Sequence, residues 1–441
     1  MKGHSITDAL VLAFVCSAAA RPQATADTLP MLTADYRYIH ASSSDLDSHR
    51  NYQLHAGNSC GFLLDYETVL SLLDSNISKP AYTGNAQLTP IYGSAAVCVA
   101  NQSTFDFIHG SISTSGDRQV GVWVYGPNAT AHVTDVLIEN KNSDIAFGLV
   151  AEEEAVLRAD LVNYSSDSRG TCAFVADGGE ITIHDSIARS RAEESSIFCS
   201  LGGGDALGQI HSQEVVAISE KGPAVVLSGN TELAAFTNTT FSAGGPAAII
   251  STRVGSGVLQ DTVLRVTTSQ ITSTNPTSPV LLFTLKDIDA IFYRTDLVPS
   301  QSNILLHTAC SSAAQAGDCR PFQATVLMAE SSIVGDIQAW DPAYLFWELS
   351  SYTTWTGAVA SNTTTGVYGT APVDVYIDDT SSWHVTKESW VQVLESARGD
   401  LSNIVAVEPG VVVHYNASAL ANEYLEGRTV ELQGGGLARP Y

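Results

Sequence analysis

Val122-Trp123-Val124-Tyr125-Gly126 closes a short apolar run, and four further runs close at the same interval. Glu152 follows Leu149-Val150, Gly178 follows Ala173-Phe174-Val175, Gly204 follows Ile197-Phe198-Cys199, and Asn230 follows Val225-Val226-Leu227. The five closing positions stand 26 residues apart. Second strand-like segments lie at 131–138, 157–162, 181–187, 207–218 and 233–241. Within them a polar residue recurs as Asp135, Asp160 and Asp185, then as Ser212 and Asn238. A period of this size marks a repeat architecture, because one unit cannot bury its own apolar face and must stack on the next. The units are β-runs separated by Gly, Asn, Ser and Asp, without a helical period. A propeller blade needs about 40 residues or more, so the spacing predicts one coil of a parallel β-helix.

Lys2 and the apolar stretch 9–20, ending in small residues, read as a secretory signal cleaved after Ala20 or as late as Ala26. No later segment is apolar enough to span a bilayer. Loss of Cys16 with the signal leaves Cys60, Cys98, Cys172, Cys199, Cys310 and Cys319, an even set that fits an oxidising compartment. The expected pairs are Cys60–Cys98, Cys172–Cys199 and Cys310–Cys319; the members of the middle pair are separated by one coil. Sequons at Asn76, Asn101, Asn128, Asn163, Asn238, Asn362 and Asn416 indicate a secreted, glycosylated chain on a eukaryotic export route. The formal charge of −25, from 46 acidic and 21 basic residues, argues against nucleic acid and anionic membrane as partners.

Beyond the signal, residues 27–92 are expected to form an N-terminal cap with irregular first coils and a short helix over 66–73, since a solenoid must cover its terminal edges. Residues 93–441 are expected to form the β-helix itself, as one elongated domain. Its coils are regular from 95 to 263 and carry longer insertions between 267 and 335. Five of the six tryptophans fall in the last region, 336–441.

Four C-terminal motifs accompany the coil pattern: Ser331-Ser332-Ile333-Val334-Gly335-Asp336-Ile337, Thr354-Trp355-Thr356-Gly357-Ala358, Ser381-Ser382-Trp383-His384-Val385-Thr386 and Leu432-Gln433-Gly434-Gly435-Gly436-Leu437. Together, over about residues 95–438, they resemble the secreted adhesin-like β-helix proteins, which are similar to the passenger domains of autotransporters such as pertactin. The resemblance implies an all-β fold, a single-stranded right-handed parallel β-helix with coils of about 25 residues. It implies a surface-exposed or secreted role and supplies no catalytic residues. Paired cysteines, dense sequons and the additional Trp340, Trp347 and Trp390 depart from that pattern.

Several constellations remain for chemistry. If Asp135, Asp160 and Asp185 stack about 4.8 Å apart, they form a column that either binds a cation or bonds the backbone at a solvated turn. Ser212 and Asn238 on the next coils favour the turn. His184 and His211, each after an isoleucine, are expected to stack on neighbouring coils without zinc-type ligand spacing. No polysaccharide hydrolase or lyase motif is found, and no cofactor is called for. The aromatic end is the strongest binding candidate, with Trp340, Trp347 and Trp390 facing a groove beside Tyr344, and Arg294 or His307 orienting a ligand. The alternative is that these rings seal the end of the solenoid. Two function classes follow. One is a secreted β-helix that binds a glycan or a small apolar molecule; the other is a cofactor-free isomerase or cyclase of secondary metabolism, ahead of a polysaccharide lyase or hydrolase. Oligomeric state is not legible.

Overall fold

The computed structural model describes residues 34–39, 45–55, 59–80, 94–116, 119–141, 145–201, 207–228, 231–251, 262–284, 286–309, 322–339, 343–360 and 373–441. Expectations at Trp340, Cys310, Cys319, Asn362, Gly204 and Asn230 lie outside these residues. Strands dominate, and the helix among the described residues is the short 3-10 segment Leu420–Leu425. The described residues up to Gly244 form one compact unit and those from Gly245 onward a second. Each is a parallel β-solenoid.

In the first unit one sheet stacks eight strands, from Ala34–Ile39 and Cys60–Asp65 through Gln119–Tyr125 and Cys172–Asp177 to Val225–Leu227. Leu149 lies opposite Val122, Phe174 opposite Leu149, Phe198 opposite Phe174 and Val225 opposite Phe198, each one repeat further along the chain. The repeat read from the apolar runs is therefore the physical coil. The second strand-like segments also stack in register, Ala131 on Leu157, Ile181 and then Ile210. Inward side chains meet in a continuous aromatic file, with Tyr164, Phe174, Phe198, Phe236 and Phe241 linked by ring separations of 6.2, 5.5, 5.1 and 5.1 Å. Burying each such phenyl contributes about 1.5–3 kcal/mol.

Among the described residues between 34 and 80 the strands already pair in parallel. Ala34–Ile39 already pairs with Cys60–Asp65, while Asp45–Ser48 and Asn51–Gln53 pair with Val69–Lys79. The short helix expected over 66–73 is absent. Tyr66 and Glu67 form a turn with φ of 53° and 59°, and Val69–Lys79 is a strand in which Leu70, Leu72 and Ile77 are buried. Alternation decides, since those leucines are two apart and reach the core only as a strand. Disulfides Cys60–Cys98 and Cys172–Cys199 form as expected, with Cα separations of 5.8 and 6.3 Å. Each joins neighbouring strands diagonally: Leu63 faces Cys98, three residues beyond Cys60, and Cys172 faces Ser196, three residues before Cys199.

The recurrent aspartates turn out to mark a corner. Asp74, His109, Asp135, Leu161, Asp185, Glu214 and Asn238 take φ between 47° and 58°, each between the two strands or strand halves that make the second and third sides of a coil. Asp, Asn and His tolerate this left-handed conformation better than most side chains. Asp160 is not in the column. It lies one residue earlier, opposite Thr134 and His184, and Leu161 takes the corner. His184 and His211 do not stack either, because His211 faces Thr182 and His184 faces Gln213. Successive coils differ in length, so equal spacing in sequence does not keep two side chains in one column.

A hydroxyl commonly follows the corner. Ser75, Ser186 and Thr239 donate to the carbonyls of Leu73, His184 and Thr237 at 2.9, 2.6 and 3.1 Å. The second unit repeats the device with Ser269, Thr295 and Ser331 on Thr267, Tyr293 and Ala329 at 2.8, 3.1 and 2.9 Å. The same oxygens accept amides from the adjacent coil, Val162 N–H on Ser186 and Thr295 N–H on Ser331 at 3.0 and 3.1 Å. Ser331→Ala therefore leaves a buried amide without its acceptor. It should lower unfolding free energy by about 1–3 kcal/mol in urea titrations, with unchanged far-ultraviolet circular dichroism.

Lys79 is buried, its Nζ donating to the Ser59 carbonyl at 2.6 Å. Burial pushes its amine down to about 8, against the opposing charge of Asp35. Between that value and the ordinary 10.5 the unfolded chain binds the proton and the folded chain does not, so this residue makes stability rise with pH across that window. Lys79→Met should stabilise the protein at pH 7 by about 2–3 kcal/mol, with the difference shrinking toward pH 10.5. Urea titrations of both proteins at several pH values measure it.

Candidate functional site

In the second unit, Thr262–Thr267, Ile288–Tyr293, Phe322–Ala329, Ala343–Ser350, Val373–Ile377 and Val393–Ser396 stack in parallel as one side of the solenoid. Ala343–Ser350 alternates strictly. Ala343, Leu345, Trp347 and Leu349 point inward, while Tyr344, Phe346, Glu348 and Ser350 point outward. This parity separates the expected tryptophan groove. Trp347 is fully buried, its ring 5.5 Å from Trp355, which stacks on Trp383 of the next coil at 4.8 Å. The indoles of Trp355 and Trp383 donate to the carbonyls of Gly335 and Gly357 at 2.8 and 2.9 Å. Gly357 must be glycine, because a Cβ there would collide with the Gly335 carbonyl and the Trp355 indole nitrogen. These three tryptophans are core. Trp340 lies outside the described residues.

Trp390 is different. It is half-buried, its ring stacks on His414 at 3.9 Å and meets Tyr441 at 5.3 Å. His414 Nε2 is 2.8 Å from Glu388 Oε1, and Arg439 occupies the next coil beside His414.

The outward face of the stacked strands carries an aromatic and acidic patch over three coils. Asp374 lies between Phe346 and Val393, and Tyr376 between Glu348 and Glu395. The Tyr344 hydroxyl, on a residue 37% exposed, donates a short hydrogen bond to Asp374 Oδ2. Asp374 itself is only 8% exposed, its Oδ1 is shielded from solvent, and the Val393 N–H donates to the carboxylate. Burial raises the Asp374 carboxyl above its usual range; the Tyr344 hydrogen bond opposes the rise and the charge of Glu395 adds to it. Burial and the bond to Asp374 push the Tyr344 phenol up to about 12. Burial, then the charge of Asp378, raises Glu348, and Tyr441 is raised by burial and by the charge of Asp374. Tyr344, Trp390 and Tyr441 are thus part of one neighbourhood whose electrostatic centre is Asp374. Perturbed groups gathered on one surface are a recognised mark of function.

Arg294 and His307 do not join it. Arg294 sits at a corner with φ of 50°, ion-paired to Glu330 at 2.7 Å and 4.8 Å from the Tyr293 ring. His307 lies on another sheet, between Leu282 and Gln338, where burial lowers its pKa. Both precede the aromatic region in sequence, but each coil distributes its residues over separate sides, so proximity along the chain does not bring them to one face. Sequence reasoning missed Asp374, Tyr376, Glu395, His414 and Tyr441. The available signal was Val373-Asp374-Val375-Tyr376-Ile377, an alternating strand with a carboxylate at its outward position.

The sequons Asn76, Asn101, Asn128, Asn163, Asn238 and Asn416 fall on strands, corners and turns of the two units. Among the described residues no group of histidine, cysteine and carboxylate side chains could hold a metal ion, and Asp135, Asp160 and Asp185 do not form one. No helix among them is long and apolar enough to cross a membrane. No protein-family model matches the chain, and no curated protein and no solved structure matches it.

The two kinds of tryptophan should separate on mutation. Trp347→Ala should lower stability by about 3–5 kcal/mol, as expected for truncating a core indole. Trp390→Ala should change it by about 1 kcal/mol or less. Thermal and urea unfolding of the two variants measure the difference.

Proposed function

We propose that the chain is a secreted glycan-binding protein whose ligand lies across Tyr344, Phe346, Tyr376, Trp390 and Tyr441. The observation that carries this reading is the Tyr344–Asp374 pair: a partly exposed ring fixed by a hydrogen bond to a largely buried carboxylate, on a strand face that also presents Phe346, Glu348 and Tyr376. A pyranose has an apolar C–H face that packs on aromatic rings and an equatorial rim of hydroxyls that need acceptors. Rings supply the first contact and carboxylates the second, and the stacked strands hold both rigidly, which limits the entropy lost on binding. The expected signal, the sequons and the disulfides support export, and the adhesin-like resemblance supports a role at a cell surface or wall.

The test is calorimetric titration of the purified protein with a panel of oligosaccharides. Binding to at least one class is expected, and Tyr344→Ala or Trp390→Ala should weaken it by about 1–3 kcal/mol while the fold is retained. Absence of binding across the panel, or full affinity in both variants, refutes the reading.

A further inference from the structure

In the first unit the outward position two residues past the corner forms one column, in which Leu137, Asn163, Ile187 and Val216 succeed one another on adjacent coils. Ser111 precedes them and Thr240 follows. Leu137, Ile187 and Val216, with Leu161 at the corner two residues before Asn163, are between 38% and 54% exposed. Single apolar side chains at a surface need no explanation, but a contiguous group with a polar rim does. The rim here is Asp135, Asp185 and Glu214 at the corners on one side, and Glu139 and Arg189 at the next outward positions on the other. Asn163 stands in the middle of the apolar group. It opens the sequon Asn163-Tyr164-Ser165, in a strand where Asn163 is exposed, Tyr164 is buried and Ser165 points outward with Asn163. Asn76, Asn101 and Asn416 commit their amide nitrogens to Asn51, Asp65 and Gln392 at 2.8, 2.6 and 3.1 Å. Among the described residues the Asn163 carboxamide makes no such bond.

Resting on the export reading above, we infer that Asn163 carries an N-linked glycan whose first sugars lie along the column and cover Leu137 and Ile187. Attachment exchanges the anomeric C1–O bond of a lipid diphosphate-linked oligosaccharide for a C1–N bond to Asn163 Nδ2; the amide loses one proton and the lipid diphosphate leaves. Neighbouring coils are about 4.8 Å apart, so the sugar bonded to Asn163 reaches the side chains on either side of it. Its C–H face and N-acetyl methyl group cover aliphatic surface while its hydroxyls stay in water. A protein partner on the same patch would have to desolvate an unpaired carboxamide at the centre of its contact. A glycan uses that nitrogen as its point of attachment.

Glycopeptide mass spectrometry of the full chain secreted from yeast should find Asn163 occupied in most molecules. Asn163→Gln and Ser165→Ala remove the sequon at different residues. Each should lose that glycan, lower the melting temperature by about 1–2 °C and increase the binding of a hydrophobic dye. In a background of Leu137→Ser with Ile187→Ser, loss of the sequon should shift the melting temperature by about half as much or less, because the surface that the sugar covers is gone. Asn128→Gln removes a sequon at the turn before Thr130–Lys141 and should leave dye binding unchanged. A bare Asn163 beside occupied sequons elsewhere overturns the inference and leaves the export reading standing. An occupied Asn163 whose removal has no effect, or the same effect in both backgrounds, overturns it too, since the sugar then does not rest on the column. A dimer with Asn163 bare, dissociated by Leu137→Ser with Ile187→Ser, overturns it in favour of a second copy of the chain. If no sequon carries sugar, the export reading falls as well.

Discussion

From Asp74 to Glu330 the described coils turn between their second and third sides through a single residue at positive φ, and the stacking there depends on that corner being reproduced. The corner amide donates to the carbonyl that precedes the next corner: Leu161 to His184, Asp185 to Gln213 and Glu214 to Thr237, each at 3.1 Å. In the second unit Thr268, Arg294 and Glu330 do the same to Tyr293, Ala329 and Ser351 at 2.8, 3.0 and 3.0 Å. At one later corner two residues, Ser351 and Tyr352, take positive φ, and Thr353 and Trp355 behind them are still buried. With one residue in the left-handed region, direction changes while inward and outward positions stay in step. The buried hydroxyl that often follows satisfies the carbonyl that the corner frees and the amide of the coil beside it, so polar backbone is not left unpaired inside.

This constraint explains which features were legible in the sequence. The repeat spacing survives because apolar runs must meet their counterparts on the next coil, as Val122, Leu149, Phe174, Phe198 and Val225 do. The Cys172–Cys199 disulfide, 27 residues apart, follows from the same spacing. The aspartate series was read correctly as a turn feature but in the wrong register, because the coils are unequal in length and Asp160 falls one position short of the corner that Leu161 fills. Side-chain identity at a corner reflects backbone conformation more than chemistry. That is why His109, Asp135 and Asn238 share one role with Leu161.

The aromatic end was legible in composition and illegible in geometry. The tryptophans crowded near the C-terminus announce that something there needs large rings, yet only parity says which side they occupy. Trp347 and Tyr344 are separated by an odd number of positions and so lie on opposite faces of one strand. The partners of Tyr344 come from later coils, where no local pattern connects Asp374 or Tyr441 to it. A long-range hydrogen bond between two outward residues has no periodic signature.

The electrostatics of the stack place that bond in context. Parallel coils bring equivalent side chains within about 5 Å of one another, so a chain of net charge −25 must keep its carboxylates from lining up unrelieved. It does so by alternation, seating histidine or arginine beside acid, as at His109 and Asp135, 2.6 Å apart, or Arg169 and Glu194, 2.6 Å apart. On the aromatic face the relief is of another kind: Asp374 is flanked along its column by Phe346 and Val393, and Glu348 and Glu395 by Tyr376. Apolar neighbours prevent direct repulsion but also remove water, and burial therefore raises Asp374 and Glu348 instead of a cation lowering them. A leucine in place of Asp374 would pack between Phe346 and Val393 without that desolvation penalty. What holds the acid there is the pair of hydrogen bonds from the Tyr344 hydroxyl and the Val393 N–H, and the same bond fixes the partly exposed Tyr344 ring on that face.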